Sequence, residues 1–449
     1  MSTSDSIPKM PDADKLAAQW QEVSERSQRV AQDFMERQQA GGKEFQLFDP
    51  AVLGQAYGEL IQSLMSNPGA LLEGQLALWQ DYAKLWERTT RRLAGQEVEA
   101  GEVPNAGDRR FKHDDWNDVP LFDHLKQSYL LVSRYLLDTV HGAEGLDEKT
   151  AQKIDFYTRQ FVDAMAPTNF AASNPAVMRE TEESGGENLV RGLTNMLDDL
   201  ERGDGKLRIK MTDMDKFKLG ENVAVSPGKV VFQNDLMQLL QYTPSTKTVF
   251  RRPLLILPPW INKYYILDLR EQNSFIKWAV DEGHTVFVVS WANPDSRHAE
   301  KTFEDYMVEG PLAALDAIEA ATGEREAKLI GYCLGGTLLA ACLSYMKSVG
   351  DDRVKAATFF TTMTDFTEPG ELGVFIDDET VTLMEESMEG KGYFEGSTMA
   401  EAFNLLRSND LIWSFVVNNY LMGKDPFPFD LLYWNSDSTR LPAKMHSAT

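Results

Sequence analysis

The chain has 449 residues, 43% of them hydrophobic and 25% charged, with a formal net charge of −24. That is apolar material for a large core and length for two domains. The acidic balance, with no sustained basic stripe, argues against a nucleic-acid binder but leaves room for phosphates held by local Lys or Arg clusters.

Residues 1–45 are polar and Gln-rich and are predicted to form a mobile or loosely helical arm. A helical domain follows over 46–204. Its first part, 51–93, carries an apolar stripe through Leu53, Tyr57, Leu60, Leu64, Leu76, Leu78, Trp79, Leu85 and Trp86, interrupted at Asn67-Pro68-Gly69. Arg88, Arg91 and Arg92 close it, where a helix C-terminus favours cations. Two more helices are predicted over 121–140 and 148–165.

The pattern changes near Gly205. Short strand-like runs fall at 229–234, 237–242, 253–257, 285–290, 327–332 and 354–360, with helical segments at 270–281, 303–321 and 337–348. This alternation predicts an α/β fold with a mostly parallel sheet over 205–449. Residues 367 to about 440 return to helical character and read as a lid insertion.

The sharpest local signal is Gly331-Tyr332-Cys333-Leu334-Gly335-Gly336, set between a strand-like run and a helical one. It has the form of a nucleophile elbow with Cys in place of Ser, on the α/β-hydrolase plan. Gly331, Gly335 and Gly336 fit the crowding at such a bend. Cys333 is the candidate nucleophile. A thioester formed there keeps its acyl group activated, so a thiol favours acyl transfer over hydrolysis. One oxyanion donor is the Leu334 N–H; the second is expected in Pro258-Pro259-Trp260-Ile261-Asn262, where Trp260, Ile261 and Asn262 carry an N–H and proline does not. Cys342, inside the following helix, reads as a packing residue. With only these two cysteines, nine apart, neither a disulfide framework nor a metal site is expected. Residues 1–15 lack a signal-peptide core, and no run of about 18 apolar residues occurs, so no transmembrane helix is expected and the cytoplasm is the default compartment.

These residues resemble a single-subunit (class I) polyhydroxyalkanoate synthase. Residues 331–336 match its lipase-like box. Residues 258–269, Ser290-Trp291-Ala292-Asn293-Pro294-Asp295, Pro167-Thr168-Asn169-Phe170 with Asn174-Pro175, and Leu432-Tyr433-Trp434-Asn435 match four further stretches in order. The resemblance implies an acyltransferase. It would polymerise (R)-3-hydroxyacyl-CoA into a polyester and release CoA through an acyl-Cys333 thioester. No cofactor is implied, because the CoA thioester is itself the substrate. It also implies a homodimer at the surface of cytoplasmic polymer granules, in contact with granule-associated proteins.

One part of the family pattern is not found. The acid and the Gly-His segment that should follow the lid are not identified, and the last sheet strands are expected to be missing, as in a C-terminally shortened chain. His446 is the one histidine after Cys333 and reads as a helix-start residue. His113, His124 and His141 lie in the helical domain, His284 at the wrong end of a strand, and His298 in a strand-to-helix loop with a structural role. Asp365 and Asn262 are candidates for substrate or lid contact, Asp365 otherwise capping its own loop. Two other readings remain open: a thiol esterase or polyester hydrolase, and an inactive fragment that binds granules.

Overall fold

The computed structural model describes residues 13–40, 50–99, 101 and 108–448. They group into two compact units, Met1–Met211 with Asn404–Pro426, and Thr212–Phe403 with Phe427–Thr449.

The first unit is helical: α1 (Ala13–Ala40), α2 (Pro50–Ser66), α3 (Pro68–Leu93), α4 (Pro120–His141), α5 (Glu148–Ala164), α6 (Pro175–Glu183) and α7 (Glu187–Arg202). The polar arm takes the helical of its two expected forms over its described part, though packed and not loose. Its residues 13–40 form one helix, with Val23 buried against Val190 and Leu197 and Arg26 paired with Asp198 and Glu201 at 2.6 and 2.9 Å. The rest of 1–45 lies outside the described residues. Asn67 caps α3 through its side chain, with Pro68 as the first helical residue, so the Asn-Pro-Gly break is a junction between two helices. The α3 stripe differs from expectation. Leu85 and Thr89 are its buried positions, while Leu76, Trp79 and Trp86 are 60%, 74% and 64% exposed. Arg88 and Arg92 both pair with buried Asp123 of α4, at 2.7 and 2.6 Å.

Residues 404–426, read from sequence as part of the lid, group with this helical unit. They carry two π turns, Asn409–Trp413 and Val416–Leu421, and the second seats on α7. Asn188 donates to the Leu421 carbonyl (2.8 Å), Asn195 to that of Asn419 (3.1 Å), and the Tyr420 hydroxyl to Asp199 (2.6 Å). Gly192 lets the strap lie flat on the helix: a Cβ there would stand 1.9 Å from the Tyr420 carbonyl oxygen.

The second unit holds a six-stranded sheet. Its elements are β1 (Gly228–Gln233), β2 (Met237–Tyr242), β3 (Leu254–Leu257), α8 (Phe275–Asp281), β4 (Val286–Trp291), α9 (Phe303–Met307), α10 (Ala313–Thr322), β5 (Ala327–Tyr332), α11 (Leu334–Val349) and β6 (Val354–Phe360). Strand order is β1-β2-β4-β3-β5-β6. β1, β2 and β4 pair antiparallel; β4, β3, β5 and β6 run parallel. β3 is buried at all four positions and β4 at five of its six, which is why they read as unbroken apolar runs. After the sheet come α12 (Asp378–Met388), β7 (Tyr393–Phe394), α13 (Gly396–Leu406), α14 (Asp430–Ser436), β8 (Leu441–Pro442) and α15 (Ala443–Ala448), with β7 and β8 paired. No helix among the described residues is long and apolar enough to cross a membrane.

Among the described residues β6 is the last strand on its side of the sheet, and residues 355–359 within it are exposed. An apolar edge with unpaired backbone groups is a template for further strands. The net charge of −24 opposes close approach of two such edges. Raising salt shortens the screening length from about 10 Å at 0.1 M to about 3 Å at 1 M. Turbidity should therefore rise with sodium chloride at fixed protein concentration, and Thr358→Lys should suppress it; salt-independent turbidity would contradict the edge as its source.

Candidate active site

β5 ends at Tyr332 and α11 begins at Leu334, which leaves Cys333 alone at the corner with φ +52° and ψ −125°. A side chain in this left-handed region is strained by about 1–3 kcal/mol and persists only where the surroundings hold it. Here they do. The Cys333 N–H donates to the Phe360 carbonyl (3.0 Å), and its carbonyl accepts from the N–H of Gly336 (2.8 Å) and Thr337 (3.2 Å).

The glycines follow from close approach. A Cβ on Gly331 would lie 2.4 Å from Gly336 Cα, and one on Gly335 would lie 2.0 Å from the Leu257 carbonyl oxygen. One on Gly336 would lie 2.0 Å from Thr362 Oγ1. The first turn of α11 is thus pressed against the ends of β5 and β3 and the segment after β6.

Cys333 is partly exposed, whereas Cys342 is buried inside α11. Burial pushes the Cys333 thiol above its ordinary pKa, and the Leu334 N–H facing the sulfur pulls the other way without cancelling it. At neutral pH the group is therefore mainly the protonated thiol. Its alkylation by iodoacetamide should quicken with rising pH through and beyond the usual thiol range, by about tenfold per pH unit while the thiolate is the minor form. A rate already level below pH 8 would contradict this. Cys342, pushed up to about 12 by burial, should stay unmodified in the folded chain.

The segment expected to hold the second donor leaves the sheet beside this corner. Leu257 is the register partner of Gly331, so residues 258–262 run on next to Tyr332 and Cys333. Trp260 is buried among Tyr306, Phe303 and Trp291, with ring centroids 5.5, 6.1 and 6.4 Å away. Trp291 Nε1 donates to the Pro258 carbonyl (2.8 Å). Thr439 donates through its hydroxyl to the Trp260 carbonyl and through its N–H to that of Ile261 (2.9 Å). Trp434 Nε1 donates to the Lys263 carbonyl (2.8 Å), and the Tyr265 hydroxyl to Asp437 (2.7 Å). Further along, buried Asp268 accepts from the hydroxyls of Ser226 (2.6 Å) and Ser274 (2.5 Å), tying the loop to the start of α8. Burial still raises its carboxyl pKa.

The remaining sequence candidates are placed as follows. The Asn262 side chain is buried and donates to the carbonyls of Trp434 and Asn435 (3.4 and 3.5 Å), so it fastens the loop and is not free for substrate. Asp365 is exposed and accepts from the N–H (3.0 Å) and hydroxyl (2.5 Å) of Thr367, which lowers its pKa; it caps its own turn. His298 has Nε2 on the Asp235 carbonyl (3.1 Å), in the turn between β1 and β2, and Nδ1 at 3.2 Å from Asp295 of its own loop, so both ring nitrogens are used. His446 sits in the last turn of α15, not at its start, with its ring 4.7 Å from that of Phe394; burial pulls its pKa down to about 4. His284 stacks on Phe250, and His113, His124 and His141 belong to the helical unit, where they meet Asp115, Thr89 and Asp155. Among the described residues, no histidine or carboxylate hydrogen-bonds the Cys333 sulfur. Thr439 carried no signal in the sequence beyond its nearness to the Leu-Tyr-Trp-Asn run.

Comparison with known proteins places this geometry. The family described as "Poly-beta-hydroxybutyrate polymerase (PhaC) N-terminus" matches residues 107–279, and the alpha/beta hydrolase fold matches 253–448. The chain is 49% identical to the poly(3-hydroxyalkanoate) polymerase subunit PhaC of Rhizobium meliloti over 437 residues, 97% of this chain and 72% of that one. It belongs to the poly(3-hydroxyalkanoate) polymerase family. Within that family it is also 52% identical to the polymerase of Methylorubrum extorquens and 41% identical to the PhaC subunit of Cupriavidus necator. These matches cover 86% and 84% of this chain but 64% and 63% of the two polymerases, so the chain spans just under two thirds of their length. The chain has an α/β-hydrolase fold, and the corner that carries Cys333 lies within the matched region.

Proposed function

We propose that the chain transfers 3-hydroxyacyl groups from CoA thioesters to a growing polyester, with Cys333 as the acyl acceptor. The observation that carries this is the isolated position of Cys333 at a strained strand-to-helix corner, its sulfur facing the Leu334 N–H. The polymerase relatives support the substrate class.

In the first step the sulfur attacks the thioester carbonyl. The new C–S bond to Cys333 forms as the C–S bond to CoA breaks, and the thiol proton ends on the released CoA. One thioester replaces another, so the acyl group stays activated. In the second step the hydroxyl of a 3-hydroxyacyl unit attacks the acyl-Cys333 carbonyl. An ester C–O bond forms as the acyl C–S bond to Cys333 breaks, and the proton of the attacking hydroxyl ends on the Cys333 sulfur. Each step passes through an oxyanion, for which the Leu334 N–H is one donor and the 258–262 loop supplies the other. This chemistry calls for no separate cofactor. A homodimer on the surface of cytoplasmic granules belongs to the same proposal.

The test is incubation of the full chain with (R)-3-hydroxybutyryl-CoA. The expected result is CoA release together with a 3-hydroxybutyryl mass increment on the peptide containing Cys333. CoA release without that adduct, or turnover confined to simple esters, would favour the hydrolase reading instead.

A further inference from the structure

The carbonyl groups at 258, 260, 261 and 263 all accept hydrogen bonds, from Trp291, Thr439, Thr439 again and Trp434. The N–H groups of Trp260, Ile261 and Asn262 donate to nothing among the described residues, although the loop is largely buried. A buried N–H is almost always paired, so a run of orphans marks a place where something else accepts. Peptide geometry says where they point. In a trans peptide the carbonyl of one residue and the N–H of the next face opposite ways. The Trp260 carbonyl shares its peptide with the Ile261 N–H, and the Ile261 carbonyl shares its peptide with the Asn262 N–H. Thr439 holds both carbonyls, one by its hydroxyl and one by its backbone N–H. The Ile261 and Asn262 N–H groups are therefore turned to the side of the loop away from Thr439.

We propose that Thr439 is a positioning residue for the oxyanion hole: by gripping the Trp260 and Ile261 carbonyls it aims the Ile261 and Asn262 N–H groups at the acyl carbonyl on Cys333. The loop leaves β3 beside Cys333, because Leu257 pairs with Gly331 and the Gly335 backbone lies against Leu257 and Pro258. Thr439 itself is buried, and the neighbouring bridge between Asn262 and Ser438 fixes its register. The assignment selects Ile261 and Asn262 over Trp260, whose N–H belongs to the peptide of Pro259 and is not set by Thr439. It rests on the acyl-transfer reading of Cys333.

Two reactions of the same sulfur separate positioning from folding. Acylation by 3-hydroxybutyryl-CoA passes through an oxyanion; alkylation by iodoacetamide does not. Thr439→Val keeps the shape and the backbone N–H but removes the hydroxyl. In the full chain it should slow Cys333 acylation by about tenfold or more, toward but short of the roughly 10²–10³-fold seen when an oxyanion donor itself is lost, and leave alkylation unchanged. Thr439→Ser, which keeps the hydroxyl, should restore acylation. The assignment is overturned if Thr439→Val acylates at the unsubstituted rate, if both reactions fall together, or if Thr439→Ser is as slow as Thr439→Val. If the unsubstituted chain is alkylated at Cys333 but never acylated, the acyl-acceptor reading itself fails and the assignment falls with it.

Discussion

Cys333→Ala is expected to reduce CoA release from 3-hydroxybutyryl-CoA to background, a loss of about 10⁴-fold or more, as when a nucleophile is removed from other covalent catalysts. The fold should survive. The strained backbone at φ +52° is held by three hydrogen bonds from and to the main chain of residue 333, and alanine keeps all of them. A thermal midpoint close to that of the unsubstituted chain, with no acyl adduct and no CoA release, is the expected pair of results. CoA release persisting in the alanine variant would remove Cys333 from the chemistry. Cys333→Ser sharpens the comparison. A serine ester is less activated than a thioester, so any acyl group taken up should leave more slowly to a hydroxyl acceptor.

Gly335→Ala should be the most damaging single methyl group at the site. Its Cβ would lie 2.0 Å from the Leu257 carbonyl oxygen and 2.7 Å from that of Pro258, both backbone atoms that no rotamer change can move. Either α11 lifts from β3 or the substitution is not tolerated. Overpacking of this kind costs about 1–3 kcal/mol and sometimes more. The loop that begins at Pro258 should shift with it, so acylation should fall further than the stability loss accounts for. Gly54→Ala in α2 is the control: nothing lies within 4 Å of its Cβ, and alanine favours a helix by about 0.8–1 kcal/mol over glycine. Thermal midpoints and acylation rates of the two variants check the contrast; equal midpoints would contradict the packing argument.

The sheet was legible in the sequence because its central strands are buried on both faces and so are written as continuous apolar runs. The runs at 237–242, 327–332 and 354–360 match β2, β5 and β6 residue for residue, and the others fall within a residue or so. The elbow was legible because glycine on both sides of one reactive side chain reflects backbone contacts local to the bend. What depends on distant partners was not legible. The α3 stripe has helical spacing, but spacing does not say which of two adjacent faces meets α4, and Leu85 and Thr89 are buried while Trp79 and Trp86 are not. Residues 13–40 look too polar for a packed helix, yet Val23 with a few ion-paired side chains suffices to seat it on α7. Residues 404–426 follow α/β elements in the chain, and it takes partners distant in sequence, such as Asn188, Gly192, Asn195 and Asp199, to show where they pack. Thr439 acts on the loop through carbonyl oxygens, which every residue has, so no residue type at 260 or 261 could announce it.

The loop after β3 is moored by residues that lie far apart along the chain: Trp291, then Trp434, Asp437 and Thr439. Each mooring limits the same few peptides, so the effects of changing them cannot add independently. Loosening one makes the next easier to lose, and a replacement on one side is tolerable only with a matched replacement on the other. Inherited variation at these positions should therefore travel in sets, and grafting the 430–439 segment from one polymerase into another should succeed only when the 258–265 stretch is carried across with it.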